Sequence, residues 1–521
     1  MIEHVLALLG LYVGWAFICL ELNHKRASVM RIPLVRVPID PLNLFFMVLE
    51  PHIFRIIDLL PPSILPNFVQ YMRRGWFFLD KADAHLKYGP MWASVTPRGI
   101  HIQICDSEAI HDMFNRRYDF IRPSENYKLL EVYGPCISTA DLGNWPRHRK
   151  VLAAPFNESV MKFVWDESLS QAEQMIRSWT LSTTGIQSFS KDARTLSLNV
   201  LAATGFRRSF SFQSASDEVG EGDAAASYRD ALSTVLDSAV LLMLIPYRYL
   251  SLPFFPKSLQ SVGKAGAVFK HHMERMLHEE TEALGRGEQG AGSLMTAFVR
   301  ALNTSGAGND SSGLSKGLSV DEIYGNIFVI NFAGHDTTAN TLAFSMALLA
   351  TQPEVQEWIA DEVRRVVADG ADDWEYADIY PQLIRFGDRT IIVPANTSIS
   401  PSLLAVHTHP KYWPNPLAWK PTRWLTKVDG KDCLVTPARD TYFPWSDGPQ
   451  NCPGRKFSEV EFVAVLALLM RNLALSIVKS GGEAEEMGRK RAMDVVDDCD
   501  MQLLLRMRDA DQLKLRCEMR I

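Results

Sequence analysis

The first apolar pattern in the chain is an unbroken run from Val5 to Leu20, followed by His24, Lys25 and Arg26. Its 16 residues fall slightly short of a comfortable membrane span. The leading end carries Glu3 instead of Lys or Arg, and no small-residue cleavage site comes after it, so residues 1–23 read as a retained membrane anchor and not a cleaved signal. Positive charge after the run places the remainder of the chain on the cytoplasmic side. Four glycosylation sequons, beginning at Asn157, Asn303, Asn309 and Asn396, are then chance matches. Pro33, Pro38, Pro41, Pro51, Pro61, Pro62 and Pro66 interrupt the next stretch, which can form neither one long helix nor a sheet. Residues 24–74 therefore read as a stiff hinge with short helices lying on the bilayer surface. Alternation either side of Pro97 to Gly99 predicts a hairpin within 88–106.

Most of the chain beyond this hairpin carries helical periodicity, broken at 214–227 and 303–317, where Gly and Ser enrichment predicts mobile loops. Ser319 and Glu322 have capping-box spacing, and the chain then runs from Asp321 to Thr351 before Pro353. This helix is apolar on nearly all sides and is expected to cross the middle of a domain. The pattern predicts a mainly α protein with small β-sheets.

Composition narrows the class. The chain has 521 residues, 47% of them hydrophobic, with no internal repeat, which fits one large domain over residues 75–521 plus appendages. With 54 basic and 60 acidic residues the net charge is -6, and nothing points to nucleic acid. Seven scattered cysteines without a C-x-x-C pair exclude a disulfide framework and a zinc knuckle, and fit a reducing, cytosol-facing compartment.

Chemistry concentrates in two places. At the centre of the long helix stand Ala333, Gly334, His335, Asp336, Thr337 and Thr338, where the glycine, the aspartate and the two threonines are weak helix formers whose selection needs another reason. Small residues at 333 and 334 would let a flat ligand lie against the backbone. Thr337 can bond the carbonyl of residue 333 and widen the turn; a buried helix with a polar kink is the plainer alternative. The second place is "YFPWSDGPQNCPGRKF", residues 442 to 457. Cys452 stands in a Gly/Pro-rich turn just before a helix, with Pro453 near its first turn, where unpaired backbone N–H groups and the helix dipole favour a thiolate. Gly448 and Gly454 would let the backbone wrap around whatever the sulfur holds; an inert buried cysteine is the alternative.

A glycine-framed cysteine loop with an upstream A-G-x-D-T-T helix resembles the cytochrome P450 superfamily of haem-thiolate monooxygenases. "WPRHR" (145 to 149) is similar to the family's W-x-x-x-R, and "WKPTRW" (419 to 424) to the aromatic-x-Pro-x-Arg-aromatic element before the cysteine loop. The resemblance implies the cytochrome P450 fold with haem as cofactor, Cys452 as the axial thiolate on iron, and Trp145 and Arg149 on a propionate. It implies that Asp336 and Thr337 relay protons, with Ala333 and Gly334 making room for oxygen. It also implies a membrane location, NADPH-cytochrome P450 reductase as electron donor and a hydrophobic small molecule as substrate, the chain being a single-pass protein of the endoplasmic reticulum. The cysteine loop and "HTHPKYWPNP" (407 to 416) are similar to fungal members serving secondary metabolism, so a terpenoid, polyketide or alkaloid-like substrate is expected.

The sequence departs from the family pattern in three ways. Trp445 stands for the usual Phe, and Gln450 for an Arg, which removes a positive charge near a propionate. The family's E-x-x-R helix has no counterpart in its place: Glu362-Val363-Arg364-Arg365 comes one helix too early. A few tens of residues are inferred to be absent at about Leu383 to Phe386, which would leave Arg423 without its partners. A skipped exon or faulty gene model, or an inactive relic without haem, is therefore weighed against a working monooxygenase. A haem-binding isomerase or dehydratase needing no reductase is a third alternative.

Overall fold

The computed structural model describes residues 2–41, 43–206, 209–213, 224–287, 293–302, 317–366, 397–428, 431–435, 437, 440–501 and 504–520. They form two compact units. The first takes the chain up to Phe120 and from residue 397 to Cys452; the second takes Ile121 to residue 366 and everything from Pro453. Helices dominate, and the sheets are small. The inferred deletion at Leu383 to Phe386 and most of the loops at 214–227 and 303–317 lie outside the described residues.

The first unit is built on a four-stranded sheet in the order β1 (Leu34–Arg36), β2 (Met91–Val95), β3 (Ile100–Ile104), β4 (Ser398–Pro401). The expected hairpin is β2–β3, antiparallel with Val95 opposite Ile100, and Thr96 N–H donates to the Gly99 carbonyl at 2.9 Å across the turn. Its two faces are both buried. Trp92 packs with Val35, Val37, Phe46, Phe54 and Tyr71, while Ala93, Val95, Ile100, Ile102 and Ile104 form a second cluster. The proline-rich stretch departs from expectation here. Part of it is a strand, because Leu34 to Arg36 lie between prolines and pair with β2 in parallel, whereas helix Leu44–Ile57, which continues through Pro51, is one of the short helices expected there. Apolar side chains to bury outweighed the breakers.

The N-terminal anchor also needs correction as a transmembrane span. Among the described residues no helix is long and apolar enough to cross a membrane. Helix Ile2–Ala27 contains the apolar run, but sixteen residues rise only about 24 Å against a core of about 30 Å. Its last turns belong to the first unit: Leu20 and Ala27 are buried in the sheet cluster, and Asn23 donates to the carbonyls of Thr96 and Pro97 at 3.0 and 3.2 Å.

In the second unit the long helix is Val320–Thr351, capped by Ser319 in a reciprocal capping box with Glu322. It packs along helix Phe189–Phe206, and helix Glu158–Leu181 packs along Arg455–Asn472. Asn157, one of the sequon residues, is the N-cap of Glu158–Leu181 and accepts from Val160 N–H. The "WPRHR" segment opens helix Trp145–Ala153. Its Arg147 grips Glu322 through both Nη atoms, with Nη1 at 2.8 Å, and His148 bridges Glu322 at 3.3 Å and Asn326 at 2.9 Å. Burial alone would raise the Glu322 carboxyl, but Arg147, the Ser319 amide and His148 hold it down at about 2.

Candidate functional site

The cysteine loop lies in the first unit. Its shape comes from main-chain bonds: Cys452 N–H donates to the Trp445 carbonyl at 2.9 Å, Ser446 N–H to Phe443 O at 3.1 Å, and Asn451 N–H to Gly448 O at 3.2 Å. The turn between them passes through two left-handed residues, Ser446 at φ 64° and Gly448 at φ 68°. A Cβ on Gly448 would come within 2.4 Å of the Phe114 carbonyl oxygen, so only glycine lets the loop settle on that backbone. Trp445 and Gln450 are half-buried, and Cys452 is exposed. The next helix starts at Arg455 with Gly454 as N-cap, which puts Pro453 just ahead of the helix.

The expected small-residue turn lies in the second unit. Val320–Thr351 is continuous α-helix through residues 333 to 338, without the widened turn. Thr337 Oγ1 does donate to the Ala333 carbonyl at 2.8 Å, and Thr341 repeats the bond to Thr337 O at 2.8 Å. Ala333, Thr337 and Thr341 form an exposed stripe, at i, i+4 and i+8, on a helix otherwise largely buried. Gly334 beside them serves packing as well: a Cβ there would meet Leu201 Cδ2 at 3.2 Å.

Asp336 points away from that stripe and is 1% exposed. Arg194 Nε donates to one oxygen at 2.7 Å and Arg506 Nη2 to the other at 2.6 Å. His335 Nε2 stands 3.3 Å off, and Arg194 also holds Asp237 at 2.7 Å. Burial alone would raise the Asp336 carboxyl, but His335, Arg194 and Arg506 outweigh it and hold it below its ordinary value. Burial drives His335 itself towards the neutral form, so at neutral pH the two guanidiniums carry the effect. Sequence reasoning named Asp336 but could not find Arg194 or Arg506, which lie on distant segments without a motif.

Trp145 is buried at the start of its helix, and Arg149 is half-buried one turn on. Arg423 answers the concern about its missing partners: its guanidinium is half-buried and caps three backbone carbonyls, Pro414 at 3.0 Å, Asn415 at 3.0 Å and Ala418 at 2.6 Å. Glu362, Arg364 and Arg365 stay on helix Pro353–Val366, where Arg365 pairs with Glu362 and Arg364 with Asp361 at 3.0 Å.

One buried acid carries no signal in the sequence. Glu461 on Arg455–Asn472 is fully buried, and neither carboxyl oxygen has a hydrogen-bond partner among the described residues. Burial pushes its pKa up to about 8, opposed only weakly by the neighbouring Ser197 hydroxyl. The folded value lies above the unfolded one, so the stability of the protonated form is complete below about pH 4.5 and is lost as pH rises through about 8. Glu461→Gln, neutral and equal in size, should flatten that dependence. Denaturant unfolding at pH 6 and pH 9 is expected to show the parent losing a few kcal/mol more than the variant, at up to about 1.4 kcal/mol per pH unit; parallel losses would show that Glu461 finds a charge partner.

Taken unit by unit, the residues present would suit a haem. The first unit has an exposed cysteine in a loop closed by main-chain bonds; the second has an exposed small-residue stripe on a largely buried helix, and an indole and a guanidinium on helix Trp145–Ala153, groups able to donate to a carboxylate.

Comparison with known proteins agrees. The family model described as Cytochrome P450 matches residues 60–381 and 380–493. A cytochrome P450 monooxygenase of Arthrobotrys oligospora is 25% identical over 564 aligned positions, covering 95% of both chains. The cytochrome P450 monooxygenase of the phomenoic acid biosynthesis cluster of Leptosphaeria maculans is 26% identical, covering 88% of this chain and 89% of its own. Among solved structures, the haem domain of cytochrome P450DA superposes with a TM-score of 0.60 at 19% identity, over 88% of this chain and 97% of that one, which shows the fold.

Proposed function

The chain belongs to the cytochrome P450 family, and from that premise we propose that it is a haem-thiolate monooxygenase that inserts one atom of O2 into a hydrophobic small molecule of fungal secondary metabolism. The observation that carries this reading is Cys452, exposed at the end of a loop that main-chain bonds close. Haem bound there would supply O2 activation, with the thiolate feeding electron density to iron. Trp145 and Arg149 would hold its propionates, and Gln450, neutral, leaves most of that charge pairing to Arg149. Ala333, exposed on the stripe, would make room for oxygen. The Thr337 hydroxyl hydrogen is committed to the Ala333 carbonyl, so its oxygen acts there as an acceptor and can hold a proton-bearing group in place. Asp336 can take up or deliver a proton once one guanidinium lets go of an oxygen.

The substrate class rests on relatives such as the phomenoic acid cluster enzyme. Electrons would come from an NADPH-dependent flavoprotein reductase. Exposed Leu11, Val13, Trp15, Phe17 and Ile18 on the first helix support association with the cytoplasmic face of the endoplasmic reticulum membrane. The chain expressed in microsomes should turn over its substrate only with NADPH and reductase; turnover without them would mean an isomerase or dehydratase. Deletion of the gene should remove a metabolite, and an unchanged metabolite profile would refute the pathway assignment.

A second reading has its own support. The family model matches in two stretches that meet at residues 380–381, and an alignment of 564 positions exceeds the chain's 521 residues, so relatives hold residues that this chain lacks. Both fit an internal deletion near Leu383, from a gene model that skips an exon or in an inactive relic. A transcript that runs through Leu383 without interruption would remove the gene-model version.

A further inference from the structure

Helix Ser107–Asn115 presents Ser107, His111 and Phe114 at i, i+4 and i+7, one face of the helix. Each of the three meets the segment that leads to Cys452. Ser107 Oγ donates to Asp440 Oδ2 at 3.1 Å, both residues buried. His111 Nδ1 bonds Asp447 Oδ2 at the tip of the cysteine loop, with only 9% and 18% of the two side chains exposed. An ionised carboxylate only accepts, so Nδ1 is the protonated nitrogen. Phe114 supplies the backbone on which Gly448 rests, and its ring lies 6.3 Å from that of Phe443. Asn115 steadies this end of the helix by donating to the His111 carbonyl at 2.8 Å.

Gly448 enters the left-handed region freely, but Ser446, two residues earlier, does so at a cost that persists only where the surroundings impose it. Asp447 stands between them, and its buried bond to His111 together with the Phe114–Gly448 contact imposes the turn. That turn sets the separation of Trp445 and Cys452, whose main-chain bond places the sulfur.

We propose that helix Ser107–Asn115 is the rack on which the cysteine loop is formed, and that His111, through Asp447, is a positioning residue for Cys452. The proposal rests on the reading of Cys452 as the haem ligand, and its test separates the two. Hydrogen exchange of the Cys452 amide in the haem-free chain reports the loop directly. His111→Ala and Asp447→Ala are each expected to speed it about tenfold, the double variant no further, because both remove one interaction. Amides of Trp92 and Gln103 in the β2–β3 ladder should keep the parental rate, as should the Cys452 amide in Asp112→Ala, on the exposed face of the same helix. His111→Gln, which keeps an N–H donor, should restore part of the protection.

In the haem-loaded chain, transfer of haem to excess apomyoglobin should quicken by a similar factor in both alanine variants. The carbon-monoxide complex should shift away from the thiolate-type Soret band. Unchanged exchange at Cys452 in His111→Ala would overturn the proposal, as would equal acceleration across the ladder, which would mean general destabilisation. A parent chain that retains no haem would instead overturn the functional reading, while the exchange data still decide the rack.

Discussion

Cys452→Ser should abolish the thiolate-type Soret band of the reduced, carbon-monoxide-bound chain and lower oxygen insertion by more than about a hundredfold, with little effect on folding. Serine is a hard, weakly acidic donor in place of a soft thiolate. The loop itself should survive, because its closure uses Cys452 N–H and the Trp445 carbonyl and its turn uses Ser446 and Gly448, none of which involves sulfur. Unfolding of the haem-free chains followed by circular dichroism should therefore give curves for parent and variant within about 0.5 kcal/mol. A retained thiolate band would move the ligand to another cysteine. For three of the six other cysteines the structure opposes that outcome: burial pushes the thiols of Cys105 and Cys517 up to about 12 and raises that of Cys136, so none of the three supplies a thiolate readily.

The second large effect concerns the buried ion cluster. Asp336→Asn keeps the shape of the side chain but removes the charge that two guanidiniums share. Losing one member of a buried pair costs about 3–5 kcal/mol when the partner is left uncompensated. Here Arg194 keeps Asp237, and Arg506 is 41% exposed and recovers water, so about 2 kcal/mol is the expected loss. If Asp336 also carries protons, kcat should fall about a hundredfold with KM little changed. Arg506→Ala gives the comparison. It frees one carboxylate oxygen without removing the acid, so it should retain most of kcat while moving the acid limb of the pH–rate profile upward, because one lowering charge is gone. The stability that Asp336 provides is present above its unfolded pKa and lost as pH falls through the depressed folded value, so the parent should be the more acid-resistant of the two. An Asp336→Asn variant with parental kcat would make the cluster purely structural.

The long helix shows how far local pattern reaches. Ser319 and Glu322 fix its start through bonds three residues apart, and Thr337 bonds Ala333 four residues back, so all of this is written in adjacent residues. The hairpin around Pro97 to Gly99 is legible for the same reason. The proline-rich stretch defeats such a reading, because its breakers are visible locally while the sheet that Leu34 to Arg36 join is not. The N-terminal run reads as a span only while its last turns stand alone, since their packing on Thr96 and Pro97 depends on residues far along the chain.

Sequence by itself determined the family, the central helix with its cap, and the cysteine that a haem would need, because each rests on residue types at short, fixed spacing. Only the tertiary structure decided what surrounds them. It turned Asp336 towards Arg194 and Arg506, gave Gly334 to Leu201, buried Glu461 and laid the cysteine loop on His111 and Phe114. Such pairings join residues more than a hundred positions apart, and their energies depend on burial, which no local spacing encodes.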